Sequence, residues 1–146
     1  MLHFKNEFAQ LDLDIACYEV SERFGITDSD GRNWLVIRAT YREDDLLVKD
    51  ANSCLLTYEL KAMVAGLKVV CAGIRNVYES DFSQPYFILN ALAKGEDTFT
   101  VEVSFTLPNT LEEVDTADLS VEMNQAEFQA LIDQLDAYCV KFPERE

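Results

Sequence analysis

Apolar and polar residues alternate from Leu11 to Cys17: Leu11, Leu13, Ile15 and Cys17 fall on one side, Asp12, Asp14 and Ala16 on the other. A period of two belongs to a strand with one buried and one wet face, so a first strand is expected here, running on to about Phe24. Asp28-Ser29-Asp30-Gly31-Arg32-Asn33 is a cluster of turn formers whose Asp-Gly step suits a hairpin. The β-branched and aromatic run Trp34 to Tyr41 would then pair back on the first strand, with Trp34 anchoring the core. After the acidic corner Glu43-Asp44-Asp45, a short third strand is expected over Leu46 to Lys49.

The period then changes. Leu60, Met63, Val64 and Leu67 recur at spacings of three and four, the stripe of an amphipathic helix. Thr57 is placed to cap it, Glu59 suits the positive end of its dipole, and Gly66 or Gly73 would stop it. Alternation returns from Val77. Tyr86 to Leu92 reads as a strand, Lys94-Gly95-Glu96-Asp97 as a hairpin connection, and Phe99, Val101, Val103, Phe105 and Leu107 as the buried side of its partner. Thr110 to Asp118 reads as a solvated loop, and Leu119, Val121 and Met123 as a last short strand. Asn124 and Glu127 have the spacing of a capping box. Phe128, Leu131, Ile132, Leu135, Tyr138, Cys139 and Phe142 form one apolar stripe behind it. Runs of strands broken by two helices indicate an α+β fold: a mainly antiparallel sheet, curved or split in two, with two amphipathic helices packed on it. The 146 residues are expected to form one domain, 1–146.

Charge narrows the function. The chain has 27 acidic and 12 basic residues, a net charge of −15. Nucleic acid and anionic membrane surfaces both call for a basic footprint, so neither is an expected partner. The N-terminus has no uninterrupted apolar stretch of the kind a secretory signal carries, and no run is long enough to span a membrane. The four cysteines, Cys17, Cys54, Cys71 and Cys139, form no Cys-x-x-Cys pair and sit in apolar contexts. They read as core thiols of a reducing cytoplasm.

Catalytic patterns are missing. His3 is the sole imidazole, near a terminus expected to fray. No serine lies in Gly-x-Ser-x-Gly, and no glycine set has phosphate-loop spacing. Read as a calcium loop around Gly31, the chain would put Ile26 and Ile37 at the two key acidic positions, so a turn is the better reading. The expectation is a protein that is not an enzyme and holds no cofactor and no metal. Trp34, Tyr18, Phe24, Tyr41, Tyr58, Tyr78, Phe82 and Tyr86 could line a ligand pocket, but strand aromatics are more often core or cross-strand pairs. The acids are bunched, and bunched acids either solvate a face or steer a basic partner. Candidate partner-binding residues are Glu43, Asp44 and Asp45 at a strand end, and Glu112, Glu113, Asp115 and Asp118 in the long loop.

The segment Cys54-Leu55-Leu56-Thr57-Tyr58-Glu59-Leu60 resembles the Cys-Leu-Leu-Thr-x-Glu-Leu motif of the WapI-like immunity proteins. A Trp-Leu-x-Ile strand before it, an amphipathic helix through it, and a terminal helix ending Phe142-Pro143-Glu144-Arg145 are similar too. Ala65-Gly66-Leu67-Lys68 departs from the Trp-Leu pair expected there. The resemblance implies a cytoplasmic immunity protein that binds a cognate secreted toxin, one acting on tRNA, and occludes it stoichiometrically. Thr57, Glu59, Leu56 and Leu60 look structural, so no binding residue is carried over from the motif. Two other readings remain open on the residues alone: a generic interaction module, including a homo-oligomer, and a small-ligand-binding domain.

Overall fold

The computed structural model describes residues 1–20, 29–107 and 115–145. Two four-stranded antiparallel sheets make up its framework. In the first, β1 (Leu2–Lys5), β2 (Ala9–Tyr18), β3 (Trp34–Glu43) and β4 (Leu46–Leu56) lie side by side in chain order. In the second, β5 (Val77–Glu79), β6 (Phe87–Ala93), β7 (Phe99–Thr106) and β8 (Thr116–Met123) do the same. Between the sheets runs α2 (Thr57–Cys71), and α3 (Gln125–Lys141) ends the fold. The α+β class and the division of the sheet agree with the sequence pattern.

Alternation explains the inner faces. Leu11, Leu13 and Ile15 of β2, Leu35, Ile37 and Ala39 of β3, and Phe99, Val101, Val103 and Phe105 of β7 are all buried. They belong to one apolar cluster with Leu60, Met63 and Leu67 of α2 and Phe128, Ile132 and Leu135 of α3, so both sheets share a core. The rings of Phe99 and Phe128 stack at 4.4 Å between centroids, fastening α3 to the second sheet. The helix α2 packs on α3 and on β4, β5 and β6.

Helix ends follow local chemistry. The Asn124 side chain accepts from the Glu127 amide at 2.8 Å and Glu127 returns a bond to the Asn124 amide at 3.1 Å, the reciprocal box expected for α3. Gly73, at φ 77°, ends α2. The amide of Ile74 donates to Val69 O and that of Gly73 to Val70 O, the Schellman pattern. Gly66 therefore does not stop the helix. It lies inside it, where a Cβ would overlap the Tyr78 ring, so the glycine lets β5 approach α2 closely.

Several local expectations are corrected. Ser29–Asn33 forms one helical turn, α1, in place of a tight Asp-Gly hairpin; Asp28 and Phe24 lie outside the described residues. The third strand does not stop at Lys49 but runs to Leu56. A register shift between Ile15 and Cys17 turns Cys17 outward, so it is exposed rather than a core thiol. Trp34 is half-buried, on the outward side of β3's alternation, while its neighbour Leu35 takes the core position. His3 does not fray: β1 pairs with β2, and its Nδ1 lies 2.6 Å from Asp12. Residues from Thr116 belong to β8, so Asp118 is a strand residue, not a loop residue.

Candidate partner-binding site

The segment Cys54 to Leu60 is a buried junction. Cys54, Leu55, Leu56 and Leu60 are all but inaccessible. Burial first, then the Glu59 carboxylate, pushes the Cys54 thiol up to about 12, so it stays protonated and inert. Leu56, not Thr57, is the residue that caps α2. The Thr57 hydroxyl instead donates to Asn33 Oδ1 at 2.8 Å. That same oxygen accepts from the Arg145 amide at 2.7 Å, and Asn33 Nδ2 donates to Arg145 O at 2.9 Å. Glu59 accepts from the Leu56 amide at 3.1 Å, and from the amide and hydroxyl of Ser83 at 2.7 and 3.2 Å. Its carboxylate thus ties the end of the first sheet to the connection between β5 and β6 of the second. These residues hold the frame and present little to a partner; Tyr58 is the exposed one.

The chain end is clamped beside them. The Tyr18 hydroxyl donates to Pro143 O, its ring meets Phe142 edge-on, and the Arg145 guanidinium lies 3.5 Å over it. Arg145 Nη1 also donates to Val20 O at 2.7 Å.

Of the acidic candidates, Glu43 and Asp118 both act on Tyr41, the first through a hydrogen bond and the second through charge alone. Tyr41, buried at the end of β3, donates its hydroxyl to Glu43 at 2.9 Å. Its phenol is pushed up to about 12 by burial first, then by Glu43, and then by the charge of Asp118. Two carboxylates far apart in sequence, one from each sheet, thus act on one phenol. Asp44 and Asp45 form the exposed two-residue tip joining β3 to β4, and Asp44 adopts φ 51°. That left-handed geometry is tolerable for Asp and projects both acids into solvent. Asp115 is exposed just before β8, its carbonyl accepting from the Leu107 amide at 2.7 Å. Glu112 and Glu113 lie outside the described residues.

Further acids on the second sheet belong to no acidic run in the sequence. The strands of the second sheet contain no Lys, Arg or His. Glu79 and Glu102 flank Asn90 in one cross-strand row, and Ile88, Ser104 and Asp118 form the next. Glu122 accepts from Thr100 at 2.8 Å and Lys94 at 3.2 Å, which hold its carboxyl below the usual range. Asn90, Glu102, Ser104, Asp118 and Ser120 border a shallow hollow on this outer face. The wet half of the Phe99–Leu107 alternation pointed to Glu102, but only strand pairing sets it beside the others.

Among the described residues, the aromatic candidates do not converge on one pocket. Phe82 stacks on Phe87, Tyr18 meets Phe142 edge-on, Tyr78 faces Gly66, and Trp34 begins β3. Among the described residues, no group of three His, Cys, Asp or Glu is arranged to hold a metal, and no helix is long and apolar enough to cross a membrane.

No curated protein and no solved structure matches the chain. A family model does, over residues 1–143, nearly the whole length and including the buried Cys54–Leu60 junction, both sheets and α3. The chain therefore belongs to the Immunity protein WapI-like family, whose members are immunity proteins directed against a toxin.

Proposed function

We propose that this protein neutralises its toxin in the cytoplasm by stoichiometric binding through an acidic surface that includes the β3–β4 tip and the start of β8, with no turnover of its own. Glu43, Asp44, Asp45, Asp115 and Asp118 form its described part, and Glu112 and Glu113 are assigned to it from the sequence. The observation that supports this reading is that Tyr41, bonded to Glu43 at 2.9 Å, also feels the charge of Asp118, so members of both acidic clusters act on one side chain. A toxin that cuts tRNA must present a basic surface to its substrate, and a negative face competes for that surface. Charge complementarity of this kind raises the association rate within about a Debye length, ~8 Å at physiological salt, while buried contacts set the lifetime.

Calorimetry and stopped-flow mixing with the cognate toxin domain test the reading. The wild type should bind one to one, with an association rate that falls steeply with salt. Replacing Glu43, Asp44 and Asp45 together by lysine should slow association by about tenfold or more without altering the circular-dichroism spectrum. Unchanged association after reversal of this cluster and of Asp115 and Asp118 rejects the acidic surface.

A further inference from the structure

The first sheet has the opposite outer face. Of the twelve basic residues in the chain, Lys5, Arg38, Arg42 and Lys49 lie in its strands, and all four are exposed. Register places them together: Lys5 is opposite Gln10 and Gln10 opposite Arg42, while Lys49 is opposite Thr40, between Arg38 and Arg42. None of the four forms an ion pair among the described residues, although acids outnumber bases by more than two to one. The acids in this part of the sheet are engaged elsewhere, Asp12 with His3 and Asp14 with the Tyr138 hydroxyl. A face whose strand cations form no ion pair among the described residues and a face whose strands carry acids and no cation therefore coexist in one chain.

We infer that the outer face of the first sheet docks on the acidic outer face of the second sheet of another copy, giving a weak head-to-tail association. Strands about 4.8 Å apart, rising about 3.3 Å per residue, give such a face roughly 400 Å². Two faces then bury less than the ~1,200 Å² of stable complexes, so the contact is reversible and charge decides its geometry. Net repulsion between copies of −15 acts at long range. Salt screens it beyond about 8 Å and leaves touching pairs less affected, so association is strongest at intermediate salt. The contact is heterologous, leaving one free face at each end. It covers Asp118, so self-association and capture of a basic partner compete. The inference goes beyond the toxin reading and is tested without a toxin.

Sedimentation velocity at millimolar protein decides it. The wild type should associate more strongly at physiological salt than at very low or molar salt. Arg38→Gln/Arg42→Gln and Glu79→Gln/Glu102→Gln should each weaken self-association by about tenfold. Mixed in equal amounts, the two variants should form a dimer and nothing larger, because each retains one working face. Recovery on mixing also shows that neither variant is misfolded. A wild type that stays monomeric throughout, variants that associate as well as the wild type, or a mixture that stays monomeric overturns the inference.

Discussion

The two sheets are built on the same inward pattern and differ on the outside. Both inner faces are rows of Leu, Ile, Val and Phe merged in one cluster. Outside, the first sheet sets Lys5, Arg38, Arg42 and Lys49 beside Asp12 and Asp14, whereas the second carries Glu79, Glu102, Asp118 and Glu122 without a cation in any strand. The net charge of −15 is therefore unevenly shared. Inner faces determine how the chain folds, because burial is insensitive to the sign of a charge on the far side. Outer faces are free to diverge, and there partner choice can change at little cost in stability.

The comparison holds only if the sheets fold as one unit. Phe128→Ala removes the ring stacked under the second sheet and should cost about 3–5 kcal/mol. The sole tryptophan, Trp34, is in the first sheet, so its fluorescence and the far-ultraviolet signal should shift together in denaturant. Separate transitions would show two units instead. Glu59→Ala strips the acceptor shared by Leu56 and Ser83 and should cost about 2–3 kcal/mol, again with both signals moving together. Gly66→Ala drives a methyl into the Tyr78 ring and should cost about 1–2 kcal/mol in urea unfolding, despite the better helix propensity of alanine. In a Tyr78→Ala background the same change should be neutral or stabilising, which locates the effect at the seam between α2 and β5.

Alkaline titration gives the finest comparison. Tyr41 of the first sheet and Tyr78 of the second are each pushed up to about 12, burial being the main cause for both. A phenol with a raised pKa stabilises the fold fully below about pH 10, its unfolded value. That contribution disappears as pH climbs through about 12, because the unfolded chain releases its proton first. Tyrosinate absorbance should therefore lag in the folded protein and rise with unfolding, and Tyr41→Phe should reduce the loss of stability over that interval. Ordinary titration near 10 in the folded state would contradict the burial of both rings.

Most of this architecture was legible in the chain because alternation and helical stripes are short-range signals. Asn124 and Glu127 announced their own capping box, and the Phe99–Leu107 alternation marked its buried side. What escaped depended on register. One extra residue near Cys17 reverses which side faces in, and nothing local marks it. Trp34 attracts a core assignment by size, yet its place in the alternation belongs to the outside. The acidic site was half visible: Glu43-Asp44-Asp45 is a sequence cluster, but the action of Asp118 on Tyr41 depends on how the second sheet folds against the first. Glu102 and the basic row were hidden for the same reason, since cross-strand neighbours are distant in sequence.

The Asn33 amide carries a consequence for how the protein is made. Its buried carbonyl and amino groups find Arg145 across more than a hundred residues. A ribosome adding about 5–20 residues per second leaves that amide waiting while all the residues between the two are made. The corner where β3 begins can close only after Arg145 has left the exit tunnel, so nascent chains stalled short of it should be readily cut by protease there, and released chains should resist.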